Sequence, residues 1–227
     1  MLVLAVAQPR LESFAVAANA LAHAEAVRSA SARVVVFPEM SLTGYEFTAP
    51  VLDPDDPRLA PLVAACAETG TLALAGAPVD GPSIGMLAVD GDGARVVYRK
   101  QYLGGGEGAV FVPGPEPVVL EVDGWRLGLA ICKDTGIPRH AADTAALGVD
   151  VYVAGVLETA EDFDVPAERA ARIAGAHGVP VAIASFAGSS GEGFDRAAGG
   201  SGVWAADGSL LARAGTGTGE IVQVTFD

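Results

Sequence analysis

The chain has 227 residues, with 28 acidic and 14 basic side chains and a formal net charge of −14. This length is enough for one domain with a full core, and a composition that is 51% hydrophobic and 19% charged argues against a disordered chain. Nucleic acids and anionic membranes bind basic surfaces, and the sequence has no cluster of Lys or Arg. We therefore expect neither of them as a partner.

The N-terminus and the cysteines bear on the compartment. The first residues are apolar, but no basic region precedes them and no cleavage spacing follows, so we expect neither a secretory signal nor a membrane span. Two cysteines, Cys66 and Cys132, do not make a disulfide framework, which favours a cytoplasmic protein. The histidines His23, His140 and His177 lack metal-ligand spacing, so we expect no metal and no cofactor.

The first half of the chain alternates short apolar runs with Ala-rich stretches. Apolar residues at helical spacing predict helices, whereas short β-branched runs predict strands buried on both faces. The predicted elements are a strand Leu2–Ala7, a helix from about Leu11 to Ser31, a strand Arg33–Phe37, a helix Pro57–Thr69, a strand Thr71–Ala77, and a hairpin Ile84–Val89 with Ala94–Arg99.

The second half begins with a Gly-rich loop, Leu103 to Gly114, and then resumes the alternation. The predicted elements are a hairpin around Asp123-Gly124 with a second arm Trp125–Ile131, a helix Ile137–Leu147, a strand Val149–Ala154, a helix Pro166–His177, a strand Val179–Ser185, a hairpin Gly202–Ala206 with Leu210–Ala212, and a strand Ile221–Phe226.

These elements predict one α/β domain over residues 1–227, because no repeat or Pro/Ser-rich linker divides the chain. Two mixed β-sheets, packed face to face and each covered by helices on its other face, would account for the number of apolar strands. We therefore expect a four-layer α-β-β-α sandwich, although the alternation alone does not determine the layering.

Three reactive residues follow predicted strands directly. Glu39 follows Arg33–Phe37 after one proline, Lys100 follows Ala94–Arg99, and Cys132 follows the arm that ends at Ile131. In α/β folds, chemistry collects at the carboxyl ends of strands, and burying an acid, an amine and a thiol there is costly unless they meet. The chain also has twelve arginines but only two lysines, Lys100 and Lys133, which favours a specific use of the compact ammonium group.

Several blocks around these residues resemble the signature blocks of the carbon–nitrogen hydrolases, the nitrilase superfamily. The resemblance extends over nearly the whole chain, in the order of the family. The matching blocks are Val36–Tyr45, Tyr98–Leu103, Gly128–Asp134, Gly106-Glu107 with Phe111–Gly114, and Gly199–Trp204 through Asp207-Gly208.

The resemblance implies a Glu-Lys-Cys triad for cleaving the C–N bond of a small amide or carbamoyl substrate. Glu39 would be the general base and acid, Lys100 an electrostatic stabiliser and Cys132 the nucleophile, with Glu107 as an additional glutamate. The backbone N–H of Lys133 would complete an oxyanion hole with the lysine. The cysteine would form a thioester and release ammonia or an amine.

Other residues receive weaker roles. Tyr45, Tyr102 and Asp134 are candidates for the substrate pocket, and Asp134 is also expected to fix the turn after the cysteine. The family further implies homodimers or larger homo-oligomers. Several departures from the family pattern loosen the choice of substrate; among them, Lys133 stands where an aromatic residue usually follows the cysteine, and Tyr102 where a histidine is usual.

Alternative functions remain open at this point. Gly81–Gly85 satisfies the G-x-S-x-G pattern of serine hydrolases, but that motif needs a strand, a sharp turn and a helix, whereas Ser83 precedes the predicted strand Ile84–Val89. A non-catalytic member of the same fold could use the pocket to bind a small ligand. A nitrile hydrolase is the third alternative.

Overall fold

The computed structural model describes residues 1–227. In the first half the elements are β1 Leu2–Gln8, α1 Val16–Ala30, β2 Val34–Val36, α2 Ala60–Thr69, β3 Leu72–Val79, β4 Ser83–Asp90 and β5 Gly93–Arg99. In the second half they are β6 Val119–Val122, β7 Trp125–Ile131, α3 Lys133–Gly136, α4 Pro138–Ala146, β8 Val151–Val156, α5 Val165–His177, β9 Val181–Ser185, β10 Ala187–Gly188, β11 Ala197–Ala198, β12 Gly202–Trp204, β13 Leu210–Arg213 and β14 Glu220–Phe226. None of the helices combines the length and the apolar character that crossing a bilayer requires.

The strands form two six-stranded mixed sheets. The first has the order β14-β1-β2-β3-β4-β5, and its β1, β2 and β3 run parallel while the other pairs are antiparallel. The second has the order β13-β12-β9-β8-β7-β6, with β7, β8 and β9 parallel. Strands β10 and β11 pair separately as a small ribbon.

Three apolar clusters explain why the sheets stack. The largest, of 27 buried residues, takes side chains from both sheets and lies between them. A second cluster joins the first sheet to α1 and α2, and a third joins the second sheet to α4 and α5. In β2, Val34 and Val36 face the inter-sheet cluster while Val35 faces the helices, as the two-residue period of a strand requires. The predicted four-layer α-β-β-α sandwich is therefore confirmed.

The structure differs from the predicted elements mainly at ends and in short pieces. Helix α1 begins at Val16 rather than near Leu11, because the Asn19 side chain bonds both the backbone N–H and the C=O of Glu12 at 2.8 Å, and Phe14 has φ +63°. That left-handed residue cannot continue a helix. The four-residue α3 and the two-residue strands β10 and β11 were not predicted, because such short segments carry no periodicity.

Candidate active site

The three strand ends meet at one buried ion cluster. The Lys100 ammonium donates to Glu39 Oε1 at 2.7 Å and to Glu107 Oε1 at 2.6 Å. The side chains of all three residues are 1% exposed. A single ammonium therefore holds two carboxylates in the interior, which leaves the cluster with one excess negative charge when all three are ionised.

Glu107 is held by two further donors. The Tyr45 hydroxyl donates to Glu107 Oε1 at 2.6 Å, and the backbone N–H of Gly104 donates to Glu107 Oε2 at 2.6 Å. Charge-assisted hydrogen bonds of this length fix a carboxylate in one orientation. Glu107 thus joins the Gly-rich loop to the lysine, and it is the second carboxylate that accepts a hydrogen bond from the ammonium.

Cys132 occupies a strained turn between β7 and α3. Its φ of +43° and ψ of −100° lie outside the conformations common for a residue with a side chain. The turn is held because the Cys132 N–H donates to the Gly155 carbonyl at 2.9 Å, and Thr135 donates to the Cys132 carbonyl through both N–H and Oγ1. The thiol donates to the Leu157 carbonyl at 3.3 Å. As the first residue of α3, Lys133 has a backbone N–H with no acceptor inside that helix.

The Glu39 turn is held tightly between the two sheets. A β-carbon at Gly76 of β3 would collide with the backbone of Met40, and one at Gly155 of β8 with the backbone of Phe37 and Glu39. Met40 itself has φ +48°. Glycine is therefore required on both sides of the turn. A side chain at either position would push away the backbone that carries Glu39.

A cavity of about 430 Å³ opens above Cys132. The cavity is lined by Tyr45, Phe47, Lys100, Gly104, Gly105, Gly106, Glu107, Cys132, Lys133, Leu157, Glu158, Arg169, Glu192 and Phe194. Tyr45 packs edge-on against Phe47 and Phe194, with ring centroids 5.2 and 5.3 Å apart, and these rings form an apolar wall. Two grooves of about 510 and 580 Å³, beside α1 and beside β10, contain none of the three ion-cluster residues or Cys132.

The structure brings most of the candidate residues to this cavity. Lys100, Glu107, Cys132, Lys133 and Tyr45 line it. Glu39 does not line the cavity but accepts a hydrogen bond from Lys100, which does. No group of three or more His, Cys, Asp or Glu side chains is arranged to hold a metal ion.

Asp134 and Tyr102 do not line the cavity, which corrects the expectation that both contribute to the pocket. The Asp134 carboxylate is fully buried and accepts hydrogen bonds from the backbone N–H groups of Ile131 and Tyr102 and from the Tyr98 hydroxyl. The Tyr102 ring packs against His140, with centroids 6.2 Å apart. Both residues therefore belong to the support behind the cysteine turn.

The sequence reasoning missed residues on the cavity wall, among them Glu158 and Arg169, which form an ion pair. Glu158 follows β8 by two residues, so the same strand-end rule could have found it. Arg169 lies on α5 and carries no such signal. Ser83 starts β4 after a three-residue connection from β3 and donates to the Val112 carbonyl, so it has no strand-turn-helix geometry.

Burial and charge set the protonation of the cluster. Burial, together with the Glu107 charge, raises the pKa of Glu39 to about 7 against the lowering effect of Lys100. Burial lowers the pKa of Lys100, but the negative charges of Glu39, Cys132 and Glu107 outweigh it and raise that pKa. Burial and the Glu39 charge raise the pKa of the Cys132 thiol. Glu39 therefore titrates near neutrality, and its Oε2 has no hydrogen-bond partner, so it is free to take up a proton.

A Glu39→Gln variant is expected to be more stable than the parent chain at pH 8, and the gain should disappear near pH 5. The folded-state pKa of about 7 exceeds the ordinary 4.5, so the folded chain loses stability as pH rises between these values. The shift corresponds to a gain on the order of 3 kcal/mol for the neutral amide. Urea unfolding of the variant and the parent chain at both pH values measures this difference in the free energy of unfolding.

The matched control for this test is Glu116→Gln, since Glu116 is an exposed glutamate. Its substitution is expected to change the free energy of unfolding by less than about 0.5 kcal/mol at either pH. A Glu39→Gln variant that loses more stability at pH 8 than at pH 5 would contradict the assigned direction of the Glu39 shift.

A family model described as carbon-nitrogen hydrolase matches residues 3–227. A curated relative from Pseudomonas protegens, named "Hydrolase in pqqF 5'region", is 34% identical over 143 residues, which cover 58% of this chain and 50% of the relative. The chain thus matches about half the length of that relative.

Solved structures share the fold over nearly the whole chain. The NitN amidase of Nesterenkonia sp. AN1 has a TM-score of 0.88 at 23% identity, covering 100% of this chain and 93% of the amidase. Nit3 of Saccharomyces cerevisiae, a member of branch 10 of the nitrilase superfamily, has a TM-score of 0.85 at 21% identity, covering 98% and 89%. A mutant of the Nesterenkonia amidase carries the product of acrylamide addition at its active-site cysteine.

Proposed function

Because this chain belongs to the carbon–nitrogen hydrolase family, we propose that it is a cysteine-dependent amidase that cleaves the C–N bond of a small amide. The observation that carries the proposal is the buried ammonium of Lys100, held between Glu39 and Glu107 beside a cavity that also exposes Cys132. A thiol and a cation that line one cavity, together with a base bonded to that cation, are the groups that acyl transfer needs. The amidase likeness of the solved relatives supports the same reaction class.

In the first half of the proposed reaction, Cys132 Sγ attacks the amide carbonyl carbon and its proton passes to Glu39. The negative oxygen of the tetrahedral intermediate is stabilised by the Lys100 ammonium and the Lys133 backbone N–H. Glu39 then returns the proton to the amide nitrogen, the C–N bond breaks, and ammonia or an amine leaves. The acyl group remains on sulfur as a thioester.

In the second half, water takes the place of the departed amine. Glu39, again unprotonated, accepts a proton from the water as its oxygen attacks the thioester carbon. Collapse of the second tetrahedral intermediate breaks the C–S bond, and the proton returns to the thiolate of Cys132. The product is a carboxylic acid, and the enzyme is restored. Glu107 keeps Lys100 in place through both halves, because it accepts the other ammonium hydrogen bond.

The test combines turnover with trapping of the intermediate. Small aliphatic amides are expected to release ammonia, measured by a coupled assay, in parallel with the carboxylic acid measured by chromatography. Acid quenching during turnover, followed by peptide mass spectrometry, is expected to find the acyl group on the Cys132 peptide and not on the Cys66 peptide.

The same panel decides between the alternatives. Release of ammonia from nitriles but not from amides would support a nitrile hydrolase. Calorimetric binding of amides without ammonia release or an acylated cysteine would support a ligand-binding member of the family and overturn the proposed activity.

Assembly and location are further proposals. The family resemblance supports a homodimer or larger homo-oligomer, which light scattering after gel filtration measures. The lack of a disulfide framework supports a cytoplasmic location, which a tagged chain in a fractionated cell would test.

A further inference from the structure

A buried polar network lies behind the cysteine turn and is not used by the proposed chemistry. It consists of Asp134, Tyr98, His140 and Tyr152. Each of these four residues is at most 2% exposed. Tyr98 Oη lies 2.8 Å from Asp134 Oδ2 and 2.9 Å from His140 Nε2, and His140 Nδ1 lies 2.9 Å from Tyr152 Oη. A network of this kind is costly to bury unless its groups are satisfied.

The hydrogen bonds have one consistent direction. The Tyr98 hydroxyl donates its hydrogen to Asp134, so it must accept from His140 Nε2–H, and the neutral ring then accepts at Nδ1 from the Tyr152 hydroxyl. Burial lowers the pKa of His140, which is consistent with a neutral ring. The Asp134 carboxylate is therefore the terminal acceptor of the network.

The other acceptor bonds of Asp134 reach the two segments that carry the reacting groups. Its Oδ2 accepts the backbone N–H of Ile131 at 3.0 Å, and Ile131 directly precedes the nucleophile. Its Oδ1 accepts the backbone N–H of Tyr102 at 2.9 Å, two residues after Lys100. The Tyr98 hydroxyl comes from two residues before the same lysine.

These segments belong to different sheets. Ile131 ends β7 of the second sheet, whereas Tyr98 lies on β5 of the first and Tyr102 follows it. A single carboxylate thus joins the strand that leads to the thiol with the strand that leads to the ammonium. The three donors, the N–H groups of Ile131 and Tyr102 and the Tyr98 hydroxyl, use both oxygens of the Asp134 carboxylate. A side chain with only one acceptor oxygen at this position therefore cannot bond all three in the same arrangement.

We propose that Asp134 is a positioning residue that fixes the Lys100 ammonium relative to the Cys132 sulfur by bonding the strand ends of both sheets. The inference rests on the proposed roles of Lys100 and Cys132. Asp134 does not line the cavity, so it acts through the geometry of the other two and not by touching substrate.

The test variant is Asp134→Asn, which keeps the size of the side chain and replaces one acceptor oxygen by an NH₂ donor. We expect kcat on a small amide to fall about 100-fold with KM changed by less than about threefold, since a misplacement of about 1 Å costs that much in rate. The acid limb of Cys132 alkylation by iodoacetamide is expected to move to higher pH, because a displaced Lys100 stabilises the thiolate less. Peptide mass spectrometry separates this reaction from any at Cys66.

The matched control is Tyr152→Phe. It removes a hydroxyl from the same network, equally buried, but that hydroxyl bonds only His140. Its kcat and alkylation profile are expected to stay within about threefold of the parent chain. Tyr98→Phe removes one of the three bonds to Asp134 and is expected to have an intermediate effect, about tenfold on kcat; it decides the question if Asp134→Asn does not fold.

The outcomes separate this inference from the proposed function. An active parent chain with Asp134→Asn, folded by circular dichroism, that behaves like Tyr152→Phe in kcat and in its alkylation profile would overturn the positioning role. A parent chain that hydrolyses no amide would overturn the proposed function. In that case the alkylation profile alone decides: a shift for Asp134→Asn supports the positioning role, and coincident profiles overturn it.

Discussion

Replacing Cys132 by alanine is expected to lower amide hydrolysis by more than about 1000-fold, because no other group can form the thioester. The control is Cys66→Ala. Cys66 lies on α2 with 1% of its surface exposed, within the cluster that joins that helix to the first sheet, and burial raises the pKa of its thiol to about 11. Its replacement is expected to leave kcat unchanged.

The measurement is steady-state ammonia release by the parent chain and both variants under identical conditions. Equal loss in the two variants would indicate that folding, and not chemistry, was damaged, and unfolding curves would identify this. Activity retained by Cys132→Ala would contradict the assignment of the nucleophile.

Replacing Lys100 by methionine is expected to cost about 3–5 kcal/mol of stability at pH 8, because two buried carboxylates lose their shared cation. It is also expected to lower kcat by about 10²–10³, the loss typical of one oxyanion donor. Lys100 lowers the pKa of Glu39, so without the ammonium that pKa rises further. Neutralisation of Glu39 at lower pH should make the loss of stability smaller at pH 5 than at pH 8.

The second lysine of the chain provides the control. Lys133 is exposed and forms no ion pair, so Lys133→Met is expected to change the free energy of unfolding by less than about 0.5 kcal/mol at either pH. Urea unfolding of both variants at pH 5 and pH 8 measures the difference. A Lys100→Met variant that is as stable as Lys133→Met would contradict a net stabilising role for the buried ammonium.

Much of the fold follows from local sequence patterns. Val34, Val35 and Val36 are apolar on both faces because each face of β2 meets a different cluster, and this was readable from an unbroken apolar run. Helix α2 ends at Gly70, in the left-handed conformation that glycine allows without strain. The number of apolar strands favoured two stacked sheets, but the layering itself was not determined by the sequence pattern.

The residues that could carry chemistry were also identifiable from their positions in the sequence. Glu39, Lys100 and Cys132 were identifiable because polar groups directly after buried strands are rare unless they are used. Their order in the chain and the sequence blocks around them resembled one family, and this resemblance was visible without any interatomic distance.

The contacts that hold those residues together became visible only in the folded chain. Asp134 and Tyr102 lie behind the cysteine turn and not in the pocket, because the Asp134 carboxylate accepts the backbone N–H of Ile131 in the second sheet and that of Tyr102, which follows β5 of the first. The need for glycine at positions 76 and 155 arises where two sheets close on one turn. Such contacts join segments far apart in the chain, and neither periodicity nor spacing carries information about the distance between two stacked sheets.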